Sequence, residues 1–426
     1  MVRVCVIGGG LAGCEAAYKI AQNGFRVDLY EMRPLKQTPA HTTGNLCELV
    51  CSNSLGSISI KTAAGLLKKE MSLLGSLTMS VARLSQVPAG RALAVDRNIF
   101  SQTITQIIEA HPNITIVRQE VKKIPIEYDI VIIASGPLTS ADLENEIIKI
   151  TGRKNLYFYD AIAPHVLASS VDFSKGFWAN RYESGKDYFN CVLSKDEYKE
   201  FYNALVNAEC VEYKDFEKPH FFEGCMPVEE LAKRGFETLR FGAMKPVGLL
   251  KDNKRPYAVV QLRKENQSGT ILSLVGFQTK LTYKEQLRVF RLIPALKNAE
   301  FAKLGSMHKN TYLQSQHLLT KYLNLKDMPD IFFAGQITGV EGYIASAASG
   351  MFVGINVSRL LEKKDLLELP KDTMLGGLIN YITQPKDYLQ PMGPNFGLIE
   401  NSKPKLDKAK QALKSLFDFC KNNGLF

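Results

Sequence analysis

The sequence predicts an α/β protein in which a Rossmann-like, doubly wound parallel sheet is interrupted by an inserted α+β domain. Three observations carry that prediction. A glycine-rich turn joins a strand to a helix at the N-terminus, two later apolar runs end in a small residue and a glycine, and the stretch between about 156 and 304 changes character.

Arg3–Ile7 is a short β-branched run, Gly8–Gly13 is rich in glycine, and Leu11–Asn23 has helical periodicity through Ala12, Ala16, Ile20 and Ala21. Gly24 suits the position just past a helix end, and Arg26–Tyr30 then reads as a second strand closed by Glu31. Strand, turn, helix and strand within about thirty residues is the spacing of a dinucleotide-binding βαβ unit. Asp129–Ala134 reads as a further buried strand entering Ser135-Gly136-Pro137. Another is Ile331–Ala334, which runs into Gly335-Gln336 and the small-residue segment Ala345–Gly354. The middle stretch is rich in aromatics and mixed charge, with strand-like runs Tyr257–Leu262 and Thr270–Val275. These signals divide the chain into 1–155, the first part of the nucleotide-binding domain; 156–304, the insertion; and 305–426, the second part. From Ser402 the tail carries Lys403, Lys405, Lys408, Lys410, Lys414 and Lys421, punctuated by Leu406, Leu413 and Phe417, the pattern of a basic amphipathic helix.

Composition narrows the class. Of 426 residues, 45% are hydrophobic, 23% charged and 9% aromatic, which excludes disordered, collagen-like and fibrous chains. No run reaches the roughly 18 continuous apolar residues of a membrane span. The apolar stretch Val4–Cys14 is broken by Gly8, Gly9, Gly10 and Gly13 and meets Glu15, unlike a signal peptide, so a cytoplasmic protein is expected. The eight cysteines (5, 14, 47, 51, 191, 210, 225 and 420) form no CxxC pair and no zinc spacing, which predicts free thiols and no metal. Lys+Arg exceed Asp+Glu by 53 to 43, and the net charge of +10 favours anionic partners such as nucleic acid or nucleotides.

Gly8-x-Gly10-x-x-Gly13 places a diphosphate at a helix N-terminus, where free N–H groups and the dipole favour anions. Gly8 permits the tight turn, Gly10 lets the backbone approach the pyrophosphate, and Gly13 lets helix and sheet pack closely. Leu11 and Ala12 open the helix. Glu31, eighteen residues beyond Gly13, is expected to bind the ribose hydroxyls. FAD is favoured over NAD by the later turns, Ala134-Ser135-Gly136 and Phe333-Ala334-Gly335-Gln336, the latter leading into a helix through Gly350 whose N-terminus would face the flavin. This is the three-part pattern of the glutathione-reductase-like flavoprotein superfamily.

Two cysteines stand out by their neighbours: Cys51 in Glu48-Leu49-Val50-Cys51-Ser52-Asn53-Ser54, and Cys225 in Glu223-Gly224-Cys225-Met226-Pro227. Either is readable as an inert core thiol or as a reactive one. Cys47 and Cys51 also invite a redox-pair reading, although flavin disulfide reductases separate their pair by four residues and here three intervene.

Ordered blocks along nearly the whole chain resemble the folate- and FAD-dependent tRNA (uracil-5-)-methyltransferase family. Besides the glycine motif they include Tyr30-Glu31-Met32-Arg33-Pro34, Leu49-Val50-Cys51-Ser52-Asn53-Ser54, Ala92-Leu93-Ala94-Val95-Asp96-Arg97 and Glu223-Gly224-Cys225-Met226-Pro227. They continue through Arg255-Pro256-Tyr257-Ala258-Val259-Val260-Gln261-Leu262, Ala334-Gly335-Gln336-Ile337-Thr338-Gly339-Val340-Glu341-Gly342-Tyr343 and Gln390-Pro391-Met392. The chain departs from the family at Gly56, where the family usually has Arg, and at Gly393-Pro394.

The resemblance implies a fold, a reaction and partners. FAD would be held by Gly8, Gly10, Leu11, Ala12, Gly13, Glu31, Gly136, Gly335 and Gln336. 5,10-Methylenetetrahydrofolate would give the carbon and NADH or NADPH the reducing equivalents. The substrate would be a uridine in RNA, expected at tRNA position 54 in the T-loop. Cys225 is implied as the nucleophile that adds to uracil C6, and Cys51 as the base that removes the C5 proton. The insertion would bind RNA, with Lys245, Arg255, Tyr257 and Phe277 expected at the mouth of the site and His308 as a flavin or folate contact. Three alternatives stand beside this reading: the same chemistry on 23S ribosomal RNA, a flavin thiol–disulfide oxidoreductase using Cys47 and Cys51, and a non-catalytic RNA-binding flavoprotein.

Overall fold

The computed structural model describes residues 2–182, 184–211, 226–400 and 403–425. A five-stranded sheet lies at its centre, in the order Ile331–Phe333, Ile130–Ile133, Val4–Ile7, Val27–Tyr30, Ile114–Val117, with every neighbouring pair parallel. Val4–Ile7 and Ile130–Ile133 are buried throughout, because helices cover both faces of a parallel sheet. The chain order reverses between Val4–Ile7 and Ile130–Ile133, which opens a crevice beyond the carboxyl ends of those strands.

Helix Leu11–Gln22 packs against the long helix Tyr343–Leu361 at very short range. A Cβ on Gly350 would stand 2.1 Å from the carbonyl oxygen of Ala12, so the small residues of 345–354 are a packing requirement. Tyr343–Leu361 is long and apolar enough to cross a membrane, yet 72% of its apolar window is buried in the fold, which makes it a core helix.

The insertion carries a six-stranded sheet ordered Gly176–Trp178, Tyr188–Leu193, Ala258–Lys264, Ile271–Leu274, His165–Leu167, Phe301–Lys303. Every pairing is antiparallel. One face is apolar: Phe189, Cys191, Val260, Leu262, Leu272 and Leu274 form a second core with Tyr198, Phe201, Phe277 and Phe290. Registered pairs place Asn190, Gln261, Arg263, Ser273 and His165 on the opposite face, and these polar residues are buried too. The nucleotide-binding unit reaches two of them: Arg263 Nη2 donates to Ser52 Oγ at 2.9 Å, and Arg97 Nη2 lies 3.4 Å from His165 Nε2. The chain leaves along Leu156–Ala161 and returns along Met307–Tyr312, two antiparallel strands paired side by side.

The C-terminal helix Lys405–Asn422 turns inward a face that takes in Leu413 but not Phe417. Ala409, Ala412, Leu416 and Cys420 are buried while Phe417 is 49% exposed. The close packing accepts the small side chains, so the largest apolar residue does not mark the buried stripe.

Candidate functional site

The crevice is a cleft of about 1070 Å³ of empty space, part of it open to solvent. Gly8, Gly10, Leu11, Ala12, Glu31, Gly136, Gly335 and Gln336 all line it. Gly13 lies beneath, where a Cβ would stand 1.9 Å from the Gly8 carbonyl oxygen. Gly8 has φ +111°, a left-handed-side conformation that disfavours other residues. Gly10 caps the first helix with no side-chain hydrogen bond, and a Cβ placed on it would meet nothing within 4 Å. The helix thus begins at open space, as a diphosphate contacted by backbone N–H groups requires. Tyr343 and Ser346, in the first turn of the long helix, also line it. This set of residues fits an extended dinucleotide such as FAD.

Glu31 is more occupied than its motif position suggests. Its Oε1 accepts from the Arg33 backbone N and Nε, both at 2.9 Å, and its Oε2 from Gly9 N at 3.0 Å and Arg33 Nη2 at 3.1 Å. Four donors fill the lone-pair positions of a carboxylate. Burial alone would raise its pKa, but the hydrogen bonds and charge of Arg33 prevail and hold it below the usual carboxylate range. Arg33 is 2% exposed and also donates to Glu48 Oε2 at 3.1 Å. Motif reasoning identified Glu31 and missed this partner. The signal lay in the adjacent Met32-Arg33-Pro34.

Cys51 stands beside Tyr343. Its backbone N donates to Tyr343 Oη at 2.8 Å, and its Sγ lies 3.0 Å from the same oxygen. Since Tyr343 Oη already accepts the amide proton, its own proton is free to point at sulfur. Burial raises the Cys51 thiol and Asp160 adds to that, while Tyr343 and Arg97 pull it back down. Glu341 is fully buried, and burial together with Asp160 raises its carboxyl; Gln336 Nε2 donates to its Oε2 at 2.8 Å. His308 pairs in register with Asp160, its Nε2 lies 3.0 Å from Ser306 Oγ, and burial and the charge of Lys303 lower its pKa.

Other expectations meet a different outcome. Cys225 lies outside the described residues. Cys47 does not join Cys51: its thiol is hydrogen-bonded to Cys14, its N donates to Gly9 O at 2.9 Å, and burial raises its pKa far above the usual range. The backbone of Cys47 has φ +53°, and Tyr343 Oη contacts Cys51. Phe277 is completely buried in the core of the insertion, not at a mouth. Tyr257 packs under Arg240, whose guanidinium lies 3.8 Å from its ring centre, and Lys245 Nζ reaches Tyr182 Oη at 3.3 Å; Arg255 is exposed. None of these four lines the cleft. Among the described residues, no group of three or more His, Cys, Asp or Glu is placed to hold a metal ion.

Comparison with known proteins gives concordant matches. The family model described as "Glucose inhibited division protein A" (GIDA) matches residues 3–365. A protein of Sulfurihydrogenibium sp. named methylenetetrahydrofolate--tRNA-(uracil-5-)-methyltransferase TrmFO is 62% identical over 431 residues, covering 99% of this chain and 98% of its own. One of the same name from Aquifex aeolicus is 60% identical, with coverage of 99% and 97%. Among solved structures, Aquifex aeolicus GidA superposes with a TM-score of 0.72 at 17% identity, over 100% of this chain and 74% of that one, which shows a shared fold.

Proposed function

The chain belongs to the GidA family and, within it, to the methylenetetrahydrofolate--tRNA-(uracil-5-)-methyltransferases, and on that premise we propose how its residues perform that reaction. The protein moves the one-carbon unit of 5,10-methylenetetrahydrofolate to C5 of a uridine in tRNA, giving 5-methyluridine. The observation that carries this reading is likeness to enzymes of that name along 99% of the chain. The tRNA T-loop uridine is the proposed position, in preference to a ribosomal site, because the relatives' names print tRNA. The proposed compartment is the cytoplasm.

Uracil C5 is a weak nucleophile. A thiolate bonding to C6 pushes the ring electrons towards O4 and C5, and the resulting enolate forms the new C5–carbon bond. Loss of the C5 proton to a base then lets the sulfur leave and restores the ring. We assign the C6 nucleophile to Cys225. Cys51 is the base: held against Tyr343, which lines the cleft, its sulfur can take up the proton while the Tyr343 hydroxyl stabilises the anionic form. Gly8, Gly10, Leu11 and Ala12 would hold the diphosphate of FAD, Glu31 would face its ribose end once an Arg33 or Gly9 hydrogen bond gives way to a ribose hydroxyl, and Gly136, Gly335, Gln336 and the start of the long helix would hold its ring system. When bound and reduced by NADH or NADPH, FAD supplies the electron pair that brings the transferred carbon from the methylene to the methyl level. A base within a folded RNA loop must be turned out to reach the site, at an unstacking cost of a few kcal/mol.

The test is methylation of purified tRNA and ribosomal RNA with labelled methylenetetrahydrofolate and NADH. Label in tRNA that is lost in Cys225→Ala and Cys51→Ala is the expected result. Full activity of either variant removes the role given to that cysteine, and label only in ribosomal RNA transfers the assignment.

A further inference from the structure

The inserted unit meets the Cys51 loop through a buried cluster of charges. Arg97 begins the helix Arg97–Glu109, just after its N-cap Asp96. Its Nη1 donates to the carbonyl of Leu49 at 2.7 Å, its Nη2 to that of Cys51 at 3.2 Å, and its Nε to Glu265 Oε2 at 2.6 Å. Lys303 Nζ donates to the intervening carbonyl of Val50 at 3.4 Å, and Arg263 Nη2 to Ser52 Oγ at 2.9 Å. Four consecutive residues, 49–52, are therefore held by three cations, two of them from the polar face of the inserted sheet. Glu265 follows the strand Ala258–Lys264 of the same sheet, and two residues on Gln267 N donates to Asp96 Oδ2 at 3.0 Å. The Arg97–Glu265 ion pair and the Gln267–Asp96 hydrogen bond thus form a two-point clasp between the units.

We propose that Arg97, fixed in place by Glu265 of the insertion, is the positioning residue of Cys51: it holds the carbonyls on either side of Val50 and keeps a positive charge beside the thiol. This rests on Cys51 being the base. Cation geometry of this kind is hard to replace, because a guanidinium reaches three acceptors in one plane while an ammonium is a point donor. The ionisable groups around the thiol are Tyr343 and Glu341 at the start of the long helix, Asp160 on Leu156–Ala161, Lys303, and Arg97 with Glu265 behind it. Asp160 and Glu341 oppose the thiolate, while Arg97 and Tyr343 favour it. Removing Arg97 leaves the opposition unbalanced; removing the charge of Glu265 does the reverse.

The experiment reads the thiol directly. Flavin-loaded wild type, Arg97→Met, Arg97→Lys and Glu265→Gln are treated with iodoacetamide between about pH 6 and about pH 10, and carboxamidomethylation of Cys51 is followed by peptide mass spectrometry. Arg97→Met is expected to move the midpoint up and slow alkylation about tenfold at pH 8, the thiolate fraction lost per unit of pKa. Glu265→Gln is expected to move the midpoint down, and Arg97→Lys to restore the wild-type midpoint while leaving kcat for methylation low. If all three variants accelerate alkylation alike at every pH, the clasp is only structural and the proposal is overturned. Should Arg97→Met fail to fold, a lowered midpoint in Glu265→Gln beside an unchanged one in Arg97→Lys supports the proposal, and equal acceleration of both at every pH overturns it. An active Cys51→Ala enzyme would instead remove the base role and leave the alkylation result standing.

Discussion

Two glycines of the first turn, three residues apart, separate flavin binding from folding. A Cβ on Gly13 would lie 1.9 Å from Gly8 O, 3.1 Å from Gly8 C and 3.3 Å from Val6 Cγ1. To restore ordinary contact the helix would have to retreat by about 1.5 Å. Gly350 blocks that movement, since its own Cα–Cβ direction already points at Ala12. The overpacking cost is about 3 kcal/mol or more, against a helix-propensity gain of about 1 kcal/mol. Gly10 has φ −81° and ψ −173°, which alanine adopts freely, with nothing within 4 Å of the added methyl. Gly10→Ala should therefore cost at most about 1 kcal/mol of stability, the difference between glycine and alanine at an N-cap. Its methyl occupies the space where a diphosphate approaches the backbone, so FAD affinity should fall at least about tenfold, or about 1.4 kcal/mol. The assay is the visible absorbance of purified protein, FAD titration by fluorescence quenching, and thermal unfolding of the flavin-free form. Gly10→Ala should be colourless and stable, and Gly13→Ala unstable even without flavin. A Gly10→Ala protein that keeps wild-type FAD affinity, or a Gly13→Ala protein with unchanged Tm, would refute the reasoning.

Three further perturbations test other parts of the structure. Leu416→Ala should destabilise by about 2–5 kcal/mol and Phe417→Ala by no more than about 0.5 kcal/mol in denaturant unfolding, the inverse of what residue size on the C-terminal helix suggests. Glu70 accepts from Met374 N at 2.7 Å and Leu375 N at 2.9 Å at the start of helix Met374–Thr383, so Glu70→Ala leaves two buried donors unmatched and should lower stability by about 1–3 kcal/mol per group. His165 is buried among Arg97, Lys303 and Arg263, which with burial lowers its pKa to about 4. Below about pH 6.5 the unfolded chain takes up a proton that the folded one refuses, so stability is full above that pH and falls towards about pH 4, by about 1.4 kcal/mol per pH unit. His165→Gln should flatten that slope, and an unchanged pH profile of Tm would count against it.

The nucleotide-binding unit was legible because its strands are fully buried and its turns need glycine. Val4–Ile7, Ile130–Ile133 and Ile331–Phe333 are continuous apolar runs, and each is followed by a glycine with positive φ at the cleft: Gly8, Gly136 and Gly335. The insertion was legible only in part. Gln261 and Arg263 alternate with Val260 and Leu262 as they would in a strand half exposed to water. Alternation reports that a face is polar, and it does not report whether water or another domain lies against it. For the same reason Phe277, named from composition, proved to be core. Cys47 escaped because its fate depends on a backbone angle, φ +53°, that no side-chain pattern encodes.

Cys47 and Cys51 differ in surroundings, and the difference supports the proposed role of Cys51 over a redox pair. Each cysteine donates its backbone N–H to a part of the cleft wall: Cys47 to Gly9 O beneath the diphosphate loop, Cys51 to Tyr343 Oη at the start of the long helix. The first is sealed against Cys14 in the core, where burial suppresses the thiolate on which disulfide exchange depends. The second lies beside Tyr343 of the cleft wall, with the hydroxyl oxygen 3.0 Å from its sulfur and a guanidinium on its own carbonyl. On the proposed assignment, that is where a cofactor held by the parallel sheet and a substrate held by the insertion would approach the same side chain. A proton-accepting sulfur at that junction serves a reaction that needs both units at once, which a dithiol contained within one of them would not.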